Sequence, residues 1–235
     1  PGHHENYVSA VAPFAVRMFI LPYKSWGSAS ENNLVVLQIK RLIKQEKINA
    51  VYVNTIMVRE PHKAARLEGI PSITHVRELL SGDETLTRII GSTKEQIRDE
   101  VIRRTHFIVA NSRATANFYT KANATFIVPN TIDTDEFDME NRVTPGRITV
   151  ALISSNIPKK GIDEFVEVAR ICEKEITGAT FLLIGPESEH YRNLREQSKG
   201  PGFPSNLRFM GYCSRPVEAV RMANIVMNLS LFTES

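Results

Sequence analysis

The stretch "PKKGIDEF", Pro158 to Phe165, sets two lysines against a glycine, ahead of a helical pattern whose first turn holds Asp163 and Glu164. A helix N-terminus presents unpaired backbone N–H groups and the positive end of the helix dipole, so neighbouring lysines add positive charge where an anion is already favoured. The chemistry available to this arrangement is the holding and neutralising of a phosphate-like group. A solvated loop is the other reading of a lone Lys-Lys-Gly, and the rest of the chain has to decide between them.

Several other chemistries lack their motifs. The G-x-G at Gly200 to Gly202 encloses Pro201, which has no N–H to offer a phosphate, and no G-x-G-x-x-G follows a strand candidate. No G-x-x-x-x-G-K-[ST], H-E-x-x-H or G-x-S-x-G occurs. Dinucleotide-dependent redox, P-loop phosphoryl transfer, zinc proteolysis and serine hydrolysis on a nucleophile elbow are therefore disfavoured. His3, His4, His62, His106 and His190 show no metal-ligand spacing, and no metal is expected.

The elements that must position the lysines follow from hydrophobic period. Short β-branched runs alternate with helical-period segments, the pattern of parallel sheets wrapped by helices. Strands are predicted at 16–21, 50–53, 73–76, 107–110, 125–128, 148–153, 181–184, 207–210 and 225–229. Between them Val35, Ile39, Leu42 and Ile43 mark one buried helix face, and Ile162, Phe165, Val166, Ala169 and Cys172 another. Ser92 and Glu95 read as a capping box, and Gly178 as the close of the helix that begins at Gly161. The polar segment Asn130 to Arg147 has no apolar period and reads as a linker, dividing the chain into halves at 1–145 and 146–235. Strands end in Asn54 and Thr55, Asn111 and Ser112, Asn130 and Thr131, and Ser154, Ser155 and Asn156. Such residues either line a ligand cleft at the carboxyl ends of the strands or cap the following helices.

The bounds agree with a globular enzyme or binding protein. A chain of 235 residues that is 42% apolar and 23% charged can bury full cores. The net charge of +3 is spread along the sequence, too dilute for a nucleic-acid partner. Two cysteines, Cys172 and Cys213, make no disulfide framework, and a reducing compartment is the simpler reading. The beginning lacks signal-peptide regions and no apolar run is long enough to cross a bilayer, so a cytoplasmic protein is expected.

With these elements in order, "HFIVANSRATANFY", "ATFIVPNTIDTDEF", "PKKGIDEF", "FLLIGPES", "LRFMGY" and "ANIVMNLSLFTES" resemble successive segments of the family 4 retaining glycosyltransferases. The resemblance is good over Thr105 to Ser235 and looser over Val16 to Leu80. It implies the α/β GT-B fold, with two Rossmann-like halves built on mostly parallel sheets, an N-terminal acceptor half and a C-terminal donor half. It also implies that the chain is an internal fragment, which alone would not turn over.

The family's donors are nucleotide-diphosphate sugars. Lys160 matches the lysine of its Lys-Gly element and would neutralise charge developing on the departing diphosphate, aided by the helix start at Gly161. Lys159 lies beside it. Many members carry an arginine six residues before that lysine, where this chain has Ser154; a hydroxyl cannot supply the charge or the bidentate contacts of a guanidinium. Asn156 falls in the same donor loop. Gly185 would allow close backbone approach to the donor, and Met210 to Tyr212 matches the segment lining the base, although glycines there are also ordinary turn residues. Glu234 corresponds to a glutamate that orients the donor sugar, with Ser235 following it.

On the acceptor side the resemblance assigns His75, at the end of "SITHV", to a hydrogen bond with a sugar hydroxyl, and Arg77 to an anionic acceptor; a structural role for a lone strand-end histidine stands beside it. The implied reaction retains anomeric configuration on a glycan or lipid-linked acceptor, with no cofactor and no metal. Lys40, Arg41, Lys44 and Lys47 could dock a membrane surface, but with Glu46 among them they read as a solvated face. Two rival readings are a non-catalytic sugar-nucleotide-binding module, which Ser154 would suit, and a GT-B epimerase or phosphorylase.

Overall fold

A computed structural model describes residues 5–23, 26, 31–82, 84–120, 122, 124–135 and 148–231. The chain divides into two compact units, the first running through Asn130 and the second starting at Thr131.

In the first unit, four parallel strands pair in the order β1-β2-β3-β4: β1 (Val51–Val53), β2 (Ser72–Val76), β3 (Phe107–Ala110) and β4 (Thr125–Ile127). Helices α1 (Glu5–Val11), α2 (Asn33–Gln45), α3 (Glu60–Leu67), α4 (Glu84–Ile90), α5 (Lys94–Arg104) and α6 (Arg113–Phe118) precede or connect them. Helix α2 buries Val35, Val36, Ile39 and Ile43 against Ala64 of α3, while Ile97 and Val101 of α5 pack with Ile56, Val76, Leu80, Ile108 and Tyr119. The inward residues of β2 are Ser72, Thr74 and Val76, so this core receives two hydroxyls. Each is bonded: Thr74 Oγ1 lies 3.2 Å from His62 Nε2, and Ser72 Oγ donates to Arg104 O at 3.5 Å. Arg104, 7% exposed, donates to Ile56 O at 2.5 Å and stacks over the Trp26 ring at 4.3 Å. The aromatic face supplies part of what water would have given the guanidinium.

The second unit repeats the plan with a more apolar interior. Strands β5 (Ile148–Ile153), β6 (Ala179–Ile184), β7 (Leu207–Gly211) and β8 (Ile225–Met227) form a parallel sheet in the order β7-β6-β5-β8. Helices α7 (Ile162–Glu175), α8 (Glu189–Gln197) and α9 (Pro216–Arg221) connect them. Residues 150–152 and 181–184 are buried on both faces, as expected of parallel strands covered on two sides. Ile162, Phe165, Val166 and Ala169 form the inward stripe of α7, and Phe165 meets Phe181 edge-on at 5.4 Å between ring centroids.

Three sequence expectations change. The run 16–21 is not a strand: it forms no ladder and Val16 is fully exposed, and a β-rich run without a neighbouring strand has nothing to pair with. The capping box belongs to Thr93 and Gln96, one residue beyond Ser92 and Glu95; Thr93 Oγ1 accepts from Gln96 N at 3.2 Å and Gln96 Oε1 accepts from Thr93 N at 3.0 Å. Helix α7 starts at Ile162 and ends at Glu175, short of Gly178, which adopts a left-handed φ of +85° in the turn before β6. Residues 136–147 of the predicted linker lie outside the described residues.

Candidate functional site

The second unit gathers the predicted donor residues at one edge of its sheet, where all four parallel strands end. The lysines are separated from α7. Pro158–Lys160 forms a single 3₁₀ turn, Gly161 takes a left-handed φ of +71°, and only then does the α-helix begin. A glycine is required there for two reasons: its dihedral is disfavoured for other residues, and an added Cβ would penetrate the carbonyl oxygen of Leu229. Leu231 N donates to Lys159 O at 3.0 Å, so the segment after β8 closes over the lysine turn. Lys159 and Lys160 are both half-buried. Gly161 leaves the first turn of α7 without a side-chain cap, and Asp163 in that turn lies 3.0 Å from His190 Nε2 of α8. Half-buried lysines beside an uncapped helix start suit an anion.

The loop after β5 turns through Asn156, a non-glycine residue at φ +53° and wholly buried. Ser154 Oγ accepts from Asn156 N at 3.1 Å and donates to Asn156 Oδ1 at 3.2 Å, while Asn156 Nδ2 donates to Pro186 O at 3.3 Å. Ser154, at the position where the resembled family often has arginine, thus spends its hydroxyl inside its own turn. Gly185, at φ +148°, presses against the Ser154 carbonyl so closely that a Cβ could not be placed. Its N–H donates to Gly211 O at 2.8 Å. Between β6 and β7 the register slips, pairing Leu183 with Phe209 but Ile184 with Gly211, which makes Met210 the extra residue of a bulge. Bulges redirect side chains at strand ends; Met210 and Tyr212 are both exposed there, 46% and 73%. Ser154, Asn156, Lys159, Lys160, Gly161, Gly185, Met210 and Tyr212 therefore share the carboxyl edge of one sheet. Glu234 and Ser235 lie outside the described residues.

In the first unit, His75 and Arg77 lie at the carboxyl end of β2. Tyr52 OH is 2.7 Å from His75 Nδ1, and the two rings meet edge-on at 5.9 Å. His75 Nε2 is covered and has no hydrogen-bond partner among the described residues. Burial, reinforced by Arg77, lowers the His75 pKa, so the ring is neutral near pH 7. The phenol engages Nδ1, and Nε2 is an orphaned polar atom beneath the surface. Glu78, beside them, accepts from Thr55 Oγ1 at 3.1 Å and from Arg77 N at 3.1 Å.

Sequence reasoning missed Tyr52, Ser188, Tyr191 and the Leu229–Leu231 closure. Tyr52 was accessible through register: it pairs with Ile73, which shares a face with His75 two residues on. Ser188 carried an N-cap signal, since its side chain accepts from Tyr191 N at 3.0 Å, but its second bond, to Asn156 O, is tertiary. Among the described residues no group of three or more His, Cys, Asp or Glu side chains could hold a metal, and no helix is long and apolar enough to cross a membrane.

No protein-family model and no curated protein matches the sequence. Solved structures do match in fold. A glycosyltransferase from Rickettsia africae ESF-5 superposes with a TM-score of 0.68 at 14% identity, over 98% of this chain and 64% of that one. A variant of S. aureus TarM in complex with fondaparinux, alpha-GlcNAc-glycerol and UDP gives 0.61 at 17% identity, over 86% of this chain and 41% of that one. The UDP-GlcNAc 2-epimerase of Neisseria meningitidis bound to UDP-GlcNAc gives 0.54 at 12% identity, over 95% of this chain and 67% of that one. The two parallel-sheet α/β halves are those of the GT-B fold, and the chain spans 41% to 64% of the two transferase structures.

Proposed function

We propose that the chain is part of a family 4 glycosyltransferase that moves a sugar from a nucleotide-diphosphate sugar to a glycan or lipid-linked acceptor with retention of configuration. The observation that carries this reading is the convergence of the Lys159–Gly161 turn, Gly185 and the Met210 bulge at the carboxyl edge of one parallel sheet. Open α/β sheets bind ligands at that edge. The TarM complex with UDP and the epimerase bound to UDP-GlcNAc share the fold, which supports a nucleoside diphosphate as the ligand class.

In this mechanism Lys160, with Lys159 supplying charge that Ser154 cannot, neutralises the diphosphate as the glycosidic bond breaks. Gly185 admits the donor backbone-close, and the exposed Met210 and Tyr212 line the base. Glu234 orients the donor sugar, with Ser235 beside it in the donor site. His75, held by Tyr52, bonds a sugar hydroxyl, and Arg77 meets an anionic acceptor. No metal or cofactor takes part, and the protein works in the cytoplasm, with peripheral association at the membrane.

Thermal shifts of this chain with UDP, GDP, ADP, CMP and NAD test the reading. Stabilisation by one nucleoside diphosphate, weakened about tenfold or more in affinity by Lys160→Ala, is the expected result. No stabilisation by any of them, or an unchanged response in Lys160→Ala, overturns it. A second reading, epimerisation of a UDP-sugar, is favoured by the likeness to the epimerase structure; conversion of UDP-GlcNAc by the full-length protein without any acceptor would select it.

A further inference from the structure

Resting on the donor-site reading above, we propose that Asn156, Ser188 and Tyr191 are positioning residues that tie the loops after β5, β6 and β7 into one unit, holding the nucleotide-sugar site in shape before a donor binds. Asn156 was expected to touch the donor. Its side chain is instead turned inward, wholly buried, with its amide on Pro186 O at 3.3 Å and on the Ser154 hydroxyl at 3.2 Å. Its carbonyl accepts from Ser188 Oγ, and the same hydroxyl accepts from Tyr191 N at 3.0 Å. Tyr191, 1% exposed, then accepts from Gly211 N at 3.1 Å through its phenol, beside the Met210 bulge, with its ring edge-on to Phe209 at 5.2 Å.

A continuous series of half-buried polar bonds thus runs from the lysine loop, through the N-cap of α8, to the end of β7. Each member is held from both sides, and where water is partly excluded the loss of one bond strands its partner and weakens the next. That coupling makes the series more than local capping. Rotating any one loop would break bonds in the other two, so Gly185, Gly211 and the Ser154–Gly161 segment keep one mutual arrangement. Asn suits the first position because it tolerates the left-handed backbone while its amide both donates and accepts.

The test compares the unsubstituted chain with Asn156→Gly, which keeps the left-handed backbone and deletes the amide, Asn156→Asp, which keeps only the acceptor, and Tyr191→Phe, which keeps the ring. Amide hydrogen exchange is read at 185–188 and 211–215, and for Tyr191→Phe also at 154–157, and affinity for UDP, GDP and ADP by calorimetry. Asn156→Gly should speed exchange in both loops, although neither carries the substitution, and Tyr191→Phe should speed it in the Asn156 loop, each by about threefold to tenfold. Nucleoside-diphosphate affinity should fall by a similar factor, less in Asn156→Asp, and the Asn156→Gly/Tyr191→Phe double variant should lose little more than the worse single one. Faster exchange confined to the substituted loop, or full affinity in the variants, overturns the proposal. If the unsubstituted chain binds none of the three nucleotides, the donor-site reading fails, and the exchange data still decide the coupling. Should Asn156→Gly not fold, Tyr191→Phe carries the same measurements with the loss of one hydroxyl.

Discussion

In the first unit polar groups sit beneath the sheet: His62, Ser72, Thr74 and Arg104 are buried among the residues that make its core. In the second unit the residues on both sides of the sheet are apolar, and Asn156, the buried polar residue there, stands in a loop beyond the strand ends. Of the eight polar or charged residues buried among the described residues, seven belong to the first unit. The two units share a topology but differ in where they accept the cost of desolvating polar atoms. The first unit carries that cost in its interior and becomes sensitive to protonation; the second confines it to the site edge, where polar bonds hold loops that would otherwise drift.

The largest expected effect lies at the second unit's edge. Gly185→Ala would force a Cβ into the Ser154 carbonyl and to 2.9 Å from Asn156 Nδ2. A loss of about 3 kcal/mol or more in the stability of that unit is expected from urea denaturation, as for other severe steric lesions. Gly202→Ala is the control: its φ of +83° is left-handed but nothing lies within 4 Å of the added atom, so only about 1–2 kcal/mol of backbone strain applies. Equal losses in the two variants would show that close approach is not what the edge depends on.

Next in size is the acid response of the first unit. Burial, with repulsion from Arg104 and His106, pushes the His62 pKa from 6.5 down to about 3. The unfolded chain takes up a proton below about 6.5 that the folded chain refuses. The stability contribution is therefore fully present above that value and is lost progressively as the pH falls toward 3. A decline on the order of 2–4 kcal/mol over this window is expected, and His62→Gln should flatten it. The second unit, with no histidine in its core, should lack this component. A pH profile unchanged by His62→Gln would remove the contrast between the units.

The smallest effect compares two N-caps. Thr93 caps α5 at an exposed position, reciprocally with Gln96, and Thr93→Ala should cost about 1 kcal/mol. Ser188 caps α8 but also donates to Asn156 O, so Ser188→Ala should cost about 2 kcal/mol, because a buried carbonyl loses its donor. Chemical denaturation of the two variants reads the difference directly. Equal costs would mean that the second bond of Ser188 adds nothing.

Seven of the predicted strands fall within a residue or two of observed ones in both units, and an eighth, 225–229, begins correctly and ends early at Met227. In β5 and β6 the β-branched runs are buried on two faces, which imposes continuous hydrophobicity that local reading detects, and β2 alternates with a period of two. The run 16–21 has the same composition and no partner, and composition does not report pairing. The capping box was misplaced by one residue because Ser92/Glu95 and Thr93/Gln96 satisfy the same pattern, and the choice depends on where the helix docks.

The order of motifs, the alternation of strand and helix, the lysine pair ahead of a helix and the glycines were all determined by the amino-acid sequence, because period and turn chemistry act over a few residues. Only the tertiary structure decided that a left-handed Gly161 stands between Lys160 and α7, that Asn156 faces inward, that Met210 bulges and that Tyr52 meets His75. Those outcomes depend on strand register and on hydrogen bonds between residues some twenty to thirty-two positions apart, which no local pattern encodes.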